Sequence, residues 1–269
     1  MSLTTHEENG LVYFTSPLLD ACGGIAHGFS TRKGGVSKPP YDTMNLAPNR
    51  GGDRPAVEEN YRRFCGAVGI DMHRCVLAHQ VHETTVLQVT EERAGMGLWR
   101  ERDYTADALV TNERNLPLVV FSADCGIILL HDPAVNCVGA VHAGWRGCAA
   151  GILEKAVREL ERLYGARAER ILAAIGPCIG PCCFETDDDV PQAMTAGLGK
   201  EAAPYLEKRD AKWHVDLAGL NRQWLLRAGV ASEHIDVSGL CTYCRSDLFW
   251  SYRKVGGQRG AQVAMISLR

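Results

Sequence analysis

Short apolar runs alternate along the chain with longer segments in which apolar residues recur at helical spacing. The short runs predict buried β-strands at 25–30, 75–77, 86–89, 108–111, 119–123, 126–130, 137–141, 171–175 and 262–266. Helices are predicted at 151–163, 190–196, 217–228 and 53–68, where Asp53 is the N-cap and Pro55 lies in the first turn. Because strands and helices interleave without a strict alternation, the pattern indicates an α/β fold.

His142 is the first candidate for chemistry, because it follows the predicted strand 137–141 and opens the sequence HAGWRG at 142–147. A segment of helical periodicity comes next. Backbone N–H groups at the start of a helix, with Arg146 beside them, would suit an anion such as phosphate or a carboxylate. The stretch therefore predicts a reactive site at a strand end.

Cys125 and two further histidines lie at similar breaks. Cys125 follows the run 119–123, and His79 and His82 lie between the runs 75–77 and 86–89. Zinc prefers such side chains, and two histidines with one thiolate leave a fourth position open, as catalytic sites do. Since His79 and His82 would face opposite sides of a regular strand, only one of them could easily reach the metal. The simpler interpretation is that these are hydrogen-bonded histidines and a small buried cysteine.

Longer motifs are spread over almost the whole chain: HGFSTRKGGVS at 27–37, Asn45-Leu46, HQVH at 79–82, ADC at 123–125, HAGWRG at 142–147, IGPCIG at 175–180, CFE at 183–185, Cys241-Thr242 and DLFWSYR at 247–253. With these motifs the chain resembles the laccase-domain family. Members of that family carry the label of multicopper polyphenol oxidases and are also known as purine nucleoside phosphorylases that accept adenosine and inosine. The resemblance implies a layered sandwich of mixed β-sheets flanked by helices.

The resemblance also implies a ligand set. Carried over residue by residue, it gives a zinc ion held by His82, Cys125 and His142. It places substrate or phosphate contacts near the TRKGG segment at 31–35, which contains Arg32, and near Asn45.

Two positions depart from the family pattern. Glu83 follows HQVH where a glycine is usual, and Ala261 stands where the family has an arginine. Without that arginine we assign no anion contact to position 261, and Arg259 is close enough in sequence to be its substitute.

The expected reaction is phosphorolysis of adenosine or inosine, and of methylthioadenosine as a further candidate, to the free base and ribose 1-phosphate. The enzyme must bind phosphate on one side of the sugar and stabilise the departing purine on the other, so Arg32 and Arg146 are candidates for the anion. Asp124 or His79 would supply or relay the proton that the purine requires. Attack of zinc-bound water on the purine ring would add adenosine deamination as a side activity.

Each supporting residue also has a structural alternative. Arg32 could pair with a surface carboxylate, Asp124 could cap a turn, and Asn45 could be a turn residue. For Trp145, a role in packing is favoured over a role in the reaction.

Three other functions stay open. A polyphenol oxidase is disfavoured, because a multicopper centre needs many closely paired histidines and the nine histidines include no His-x-His pair. A metal-free hydrolase would use Cys125 as nucleophile and His142 as base. A non-catalytic protein would bind zinc or a nucleoside without turnover.

The cysteines raise the prospect of a second metal site. Cys178, Cys182 and Cys183, together with the C-x-x-C pair Cys241 and Cys244, could form a closed structural zinc site. The alternative is that they are small buried residues, and the amount of zinc per chain distinguishes the two.

Length, composition and charge predict the number of domains, the partners and the location of the protein. The chain has 269 residues, 46% of them hydrophobic, with no low-complexity linker, so we expect one domain spanning 1–269. A net charge of −3 without a basic patch predicts neither a nucleic-acid nor a membrane partner. Eleven cysteines, an odd number, and an N-terminus without signal-peptide features predict a cytoplasmic protein with reduced thiols. A homodimer is compatible with the sequence, which does not specify the oligomeric state.

Overall fold

The strands form two six-stranded sheets and one small sheet in a computed structural model that describes residues 3–49 and 53–269. The first sheet has the order β1-β2-β3-β15-β7-β4, the second β14-β10-β8-β9-β6-β5, and the third β11-β13-β12. The strands are β1 Thr4–Glu8, β2 Leu11–Thr15, β3 Ile25–Ser30, β4 Val76–Leu77, β5 Val86–Gln88, β6 Ala108–Thr111, β7 Leu118–Ser122, β8 Gly126–Asp132, β9 Cys137–Ala143, β10 Leu172–Ile175, β11 Glu185–Thr186, β12 Leu206–Arg209, β13 Lys212–Val215, β14 Ile235–Val237 and β15 Gln262–Leu268.

Helices flank the sheets. They are α1 Pro17–Cys22, α2 Arg54–Val68, α3 Trp145–Ala149, α4 Ile152–Tyr164, α5 Asp189–Leu198, α6 Leu217–Ala228 and α7 Tyr252–Val255. Short 3-10 turns lie at Met72–Arg74, Glu91–Arg93, Ala168–Arg170, Gly199–Tyr205 and Ser232–His234. None of the helices in the described ranges is both long and apolar enough to cross a membrane.

The two larger sheets pack face to face. Phe29 and Val120 of the first sheet meet Ile127 and Val138 of the second in the core between them. The outer face of the first sheet packs on α2, and the outer face of the second packs on α3 to α6. Strands β8 and β9 are buried along their whole length, which explains why they read as nearly continuous apolar runs. The expected α/β layered sandwich is confirmed.

Helix α2 shows how local signals set the boundaries. Asp53 occupies the N-cap position without a capping bond from its side chain, and Pro55 lies in the first turn, where a missing N–H costs nothing. Gly69 ends the helix in the left-handed conformation at φ 74°, and its N–H bonds to the carbonyl of Cys65.

The structure differs from the sequence-based expectation around His142. Strand β9 continues to Ala143, so His142 lies inside a strand rather than after it. The helical segment that follows is divided into α3 and α4, because Gly151 between them adopts φ 74°. The helices α1 and α7 and the three-stranded sheet were not predicted, since each is too short to show a period.

The strand order brings the ends of several strands together on one side of the second sheet. Strands β8 and β9 form a hairpin in which Gly126 lies opposite Ala143. Strand β10 is antiparallel to β8, with Ile175 opposite Ile128, and it runs parallel to β14. The start of β8 and the ends of β9, β10 and β14 therefore lie together, and the candidate site is at this edge.

Candidate metal centre

His82, Cys125 and His142 converge at this edge. Cys125 directly precedes β8, His142 is the penultimate residue of β9, and His82 lies in the segment between β4 and β5. Their potential ligand atoms all lie within 4.8 Å of one another. The two imidazole rings are nearly perpendicular, at 82°, with centroids 4.9 Å apart. The structure brings together the three residues that the family resemblance implied as ligands.

The donor set fits a zinc ion. Zinc bonds of about 2.0–2.3 Å to nitrogen and sulfur place tetrahedral ligand atoms roughly 3.3–3.8 Å apart, so small adjustments suffice. Gly144 lies against all three side chains. A Cβ added there would come within 2.9 Å of His82 Nδ1 and 3.1 Å of Cys125 Sγ. The absence of a side chain at Gly144 therefore leaves room between the ligands.

Asp107 is the residue that sequence reasoning missed. It is fully buried at the start of β6, and its Oδ1 accepts a hydrogen bond of 2.8 Å from His142 Nδ1. The same carboxylate accepts the backbone N–H groups of Val81, His82 and Glu83 at 3.0–3.1 Å. Because Nδ1 of His142 donates to a carboxylate, Nε2 is left as the metal-binding nitrogen. One buried carboxylate thus positions two of the three ligands.

In the metal-free chain, the pKa values of His142 and Asp107 follow from the contacts of the two side chains. Burial opposes charge on His142, but the neighbouring Cys125 and the hydrogen bond to Asp107 raise its pKa to about 9. Burial would raise the pKa of Asp107, yet the bonds from His142, Val81 and Glu83 outweigh it and lower that pKa. Asp107 is therefore a carboxylate acceptor over the physiological range.

Two residues at the centre have left-handed backbone. His82 has φ 63° and Asp124 has φ 92°, a conformation that costs non-glycine residues on the order of 1 kcal/mol each. Hydrogen bonds to Asp107 hold the first of these turns. Glu83 is not among the positive-φ residues of the described ranges. The glycine usual at this position is therefore not required by the backbone here.

Asp124 is used as a framework residue. Its Oδ1 accepts from the Thr242 hydroxyl at 2.6 Å and its Oδ2 from the backbone N–H of Arg253 at 2.7 Å. Its own carbonyl accepts from Ile179 N at 2.8 Å. The side chain is buried and both oxygens are occupied, so this geometry supports the turn-stabilising alternative more than a proton-transfer role.

The two candidate arginines differ in what their guanidinium groups contact. Arg32 donates to the carbonyls of Asp42 and Ser246 at 2.9–3.1 Å and stacks on Trp250 at 4.1 Å. Arg146 is exposed, and its guanidinium stacks on Trp145 at 4.2 Å and makes no hydrogen bond or ion pair within the described residues. Arg146 therefore has its donors available for an anion, whereas those of Arg32 are largely engaged.

Asn45 and the segment around Ala261 contact each other through buried hydrogen bonds that support the local structure. Asn45 is fully buried, and its Oδ1 accepts from Ala47 N at 3.0 Å and Ala261 N at 3.2 Å. Arg259 is buried, donates to the Gly260 carbonyl at 2.9 Å and lies over the ring of Tyr252. The Asn45 side chain thus ties the loop at 45–47 to Ala261, the residue before β15.

His79 lies outside the group of three ligands. Its Nδ1 is 3.1 Å from the Tyr104 carbonyl, so Nδ1 carries a proton and Nε2 is the nitrogen free to exchange one. The ring lines a cavity of about 320 Å³ together with Gln80, Arg102 and Phe121. That volume is within the range of about 300–1,000 Å³ typical of small-molecule sites.

The suggested cysteine group is brought together in part. Cys182, Cys183, Cys241 and Cys244 place their sulfur atoms within 4.8 Å of one another. Cys178 is not part of that cluster. It is buried, and burial raises the pKa of its thiol.

Comparisons with known proteins agree with these features. A family model described as multi-copper polyphenol oxidoreductase laccase matches residues 26–269. The chain belongs to this laccase-domain family. Within the family, the purine nucleoside phosphorylase YlmD of Geobacillus stearothermophilus is 36% identical over 252 residues, which is 91% of each chain. The purine nucleoside phosphorylase of Deinococcus radiodurans is 40% identical over 254 residues, 94% of this chain and 93% of that one.

Solved structures of the laccase-domain family share the fold. The crystal structure of YlmD from Geobacillus stearothermophilus aligns over 100% of both chains with a TM-score of 0.89 at 33% identity. That of the Bacillus licheniformis hypothetical protein YfiH covers 98% of this chain and 99% of its own, with a TM-score of 0.91 at 30% identity. The resemblance seen in the sequence motifs is therefore confirmed.

Proposed function

We propose that the chain is a zinc-dependent purine nucleoside phosphorylase that cleaves adenosine and inosine with phosphate. The observation that carries this proposal is the convergence of His82, Cys125 and His142 around the space at Gly144, with His142 oriented by the buried Asp107. The relatives from Geobacillus and Deinococcus are named purine nucleoside phosphorylases, which supports the same reaction. One domain over 1–269, a cytoplasmic location and a homodimer remain parts of the proposal.

The three ligands would hold zinc with one coordination position open. When bound, zinc supplies Lewis acidity toward the substrate at that position. Asp107 keeps the His142 ring in the tautomer that binds through Nε2, and the same carboxylate fixes the backbone of His82. This rigidity lowers the cost of assembling the centre.

Arg146 is our candidate for the phosphate. The guanidinium of Arg146 stacks on Trp145, and Trp145 directly follows Gly144, which lies against the ligands. The N–H donors of Arg146 are available for the planar bidentate contact that phosphate accepts. Arg32 and Asn45 would act more indirectly, by shaping the loop that packs on Trp250.

The cavity beside His79 is our candidate for the nucleoside. Phe121 and Arg102 both line this cavity, and we propose that the first packs on the purine and the second supplies a positive charge. In the reaction, a phosphate oxygen bonds to the sugar carbon while the bond to the purine nitrogen breaks, and the purine nitrogen takes up the electron pair and a proton. We propose that Nε2 of His79 relays that proton, since Nδ1 is held by the Tyr104 carbonyl.

A metal-free hydrolase is the second candidate, because Cys125 and His142 are in contact and Asp107 orients the imidazole. That arrangement matches a nucleophile, a base and an orienting carboxylate. Two observations favour the metal instead: His82 adds a third ligand atom, and Gly144 keeps the space between them clear. Copper oxidation is less well supported, since neither potential ligand cluster in the described residues contains more than two histidines.

The test is chromatography of the products formed from adenosine with and without phosphate. Adenine and ribose 1-phosphate that appear only with phosphate would establish phosphorolysis. Adenine with free ribose in the absence of phosphate would indicate the hydrolase. Inosine would reveal the proposed deaminase side activity, and bound adenosine without any product would indicate a binding protein.

A further inference from the structure

We propose that Cys182, Cys183, Cys241 and Cys244 bind a second zinc ion, which is structural and joins two loops beside the candidate metal centre. The first loop follows β10 and carries Cys182 and Cys183. The second follows β14 and carries Cys241 and Cys244. Strands β10 and β14 are parallel neighbours, so both loops leave the sheet at the same edge.

The sulfur atoms are spaced for one metal ion. Sγ of Cys244 lies 3.5 Å from Sγ of Cys182 and 3.4 Å from Sγ of Cys183, and all four sulfurs lie within 4.8 Å of one another. A single zinc with Zn–S bonds of about 2.3 Å places its tetrahedral sulfurs about 3.8 Å apart. A [4Fe–4S] cluster binds each of its four thiolates to a different iron and therefore needs a wider arrangement. Four thiolates around one ion are the typical ligand set of closed structural zinc sites.

Backbone donors surround the most buried of the four ligands. Gly180 N–H donates to Cys241 Sγ at 3.3 Å, and the N–H groups of Tyr243 and Cys244 point to the same sulfur. Such donors stabilise negative charge on a coordinated thiolate and fix its orientation. Cys241 lies at the inner side of the cluster, whereas Cys182 and Cys244 are exposed at its rim. The loop is thus arranged to present charged sulfur to an ion.

The four-cysteine cluster is connected to the catalytic candidate residues through Asp124. Thr242, between two of the cysteines, donates to Asp124 Oδ1 at 2.6 Å, and Ile179 of the first loop donates to the Asp124 carbonyl at 2.8 Å. Arg253 donates to the Cys183 carbonyl through its side chain and to Asp124 Oδ2 through its backbone. Asp124 directly precedes Cys125. A zinc ion that fixes both loops therefore also steadies a ligand of the first centre.

The test counts zinc per full-length chain, purified under reducing conditions, by plasma mass spectrometry. The wild type should contain about two zinc ions. His142→Ala should retain about one, and adding Cys182→Ser with Cys244→Ser to that variant should remove it. Because Cys178 lies in the same loop but outside the cluster, Cys178→Ala is the matched control and should retain two.

A second measurement uses the wild type alone and does not depend on the folding of any variant. X-ray absorption at the zinc edge of the wild type should show on average about 2.5 sulfur ligands per zinc, from four cysteines at one ion and one at the other. One sulfur per zinc, or four unprotected thiols that alkylate rapidly in the folded chain, would overturn the proposal. So would an intact mass showing that the four cysteines form disulfides in the reduced preparation.

Discussion

Replacing Asp107 by asparagine should weaken metal binding without touching a ligand. The carboxylate accepts four hydrogen bonds, from the ring of His142 and from the backbone of Val81, His82 and Glu83. Asparagine keeps one oxygen and exchanges the other for an NH2 group that can only donate. In either orientation of the amide, the NH2 group therefore faces N–H groups that are themselves donors.

The magnitude follows from these two orientations. If the amide oxygen faces His142, the NH2 group opposes the N–H groups of Val81 and Glu83, and two bonds of about 1.5–3 kcal/mol each to a charged acceptor are lost. If the amide is turned around, it donates to Nδ1 and the ring proton moves to Nε2, which can then no longer bind metal. Removing such an outer partner typically costs about 10- to 100-fold in metal affinity or activity. We expect the zinc dissociation constant to rise by that factor.

The assay is the zinc concentration that restores half-maximal phosphorolysis to chelator-stripped protein, measured alongside thermal unfolding. Asp132→Asn is the matched control, because Asp132 is equally buried and hydrogen-bonded but lies at the opposite end of β8. It should lower the melting temperature and leave the zinc midpoint unchanged. An Asp107→Asn protein with the wild-type zinc midpoint would refute the positioning role.

Three further predictions concern the metal, the phosphate and pH. Gly144→Ala should lower activity on the order of 100-fold, because its methyl group would displace the ligands, and metal analysis should show zinc loss. Arg146→Ala should raise KM for phosphate about 10- to 100-fold and leave KM for the nucleoside unchanged in steady-state kinetics. The pKa of Asp132 is lowered because, although burial raises it, backbone amides and an arginine outweigh that effect. Its ionised form therefore stabilises the fold above the unfolded value of about 3.9, and this stabilisation is lost as pH falls through the lower folded pKa. In urea unfolding, the stability difference between wild type and Asp132→Asn should be full at neutral pH and shrink below about pH 4.

Matched variants make these outcomes decisive. A Cβ on Gly257 would meet no atom within 4 Å, so Gly257→Ala should retain zinc and activity. Arg162 is exposed on α4, and Arg162→Ala should leave KM for phosphate unchanged. A Gly144→Ala protein with full zinc, or an Arg146→Ala protein with unchanged KM for phosphate, would contradict the site. A stability difference that persists undiminished at low pH would contradict the assigned role of Asp132.

The fold could be predicted where the sequence carries a long or strong period. Helix α6 at Leu217–Ala228 and strand β6 at Ala108–Thr111 match the predicted bounds. Strand β9 was predicted too short, because polar His142 interrupts its apolar run although the residue is buried in the sheet. The layered arrangement of the sheets came from the family resemblance, since pairing between distant strands leaves no local signal.

The candidate ligands could be named because the family resemblance implied them, whereas the spacing alone left open which of His79 and His82 would reach a metal ion. Asp107 could not, because it lies 25 residues from His82 and 35 from His142, and only the folded chain joins them. Its one signal was a carboxylate at the start of an apolar strand. The contacts of Arg32 with Ser246 and of Asn45 with Ala261 depend in the same way on chain segments more than 200 residues away.

The most direct test of the account is to titrate zinc into chelator-stripped protein supplied with adenosine and phosphate, and to measure ribose 1-phosphate. We predict no product without metal, a saturable rise with zinc, and no rise for His142→Ala. The control His131→Ala removes another buried histidine of the β8–β9 hairpin and should respond to zinc as the wild type does. Full turnover by the stripped protein, or a wild-type response from His142→Ala, would contradict a zinc-dependent phosphorylase centred on His82, Cys125 and His142.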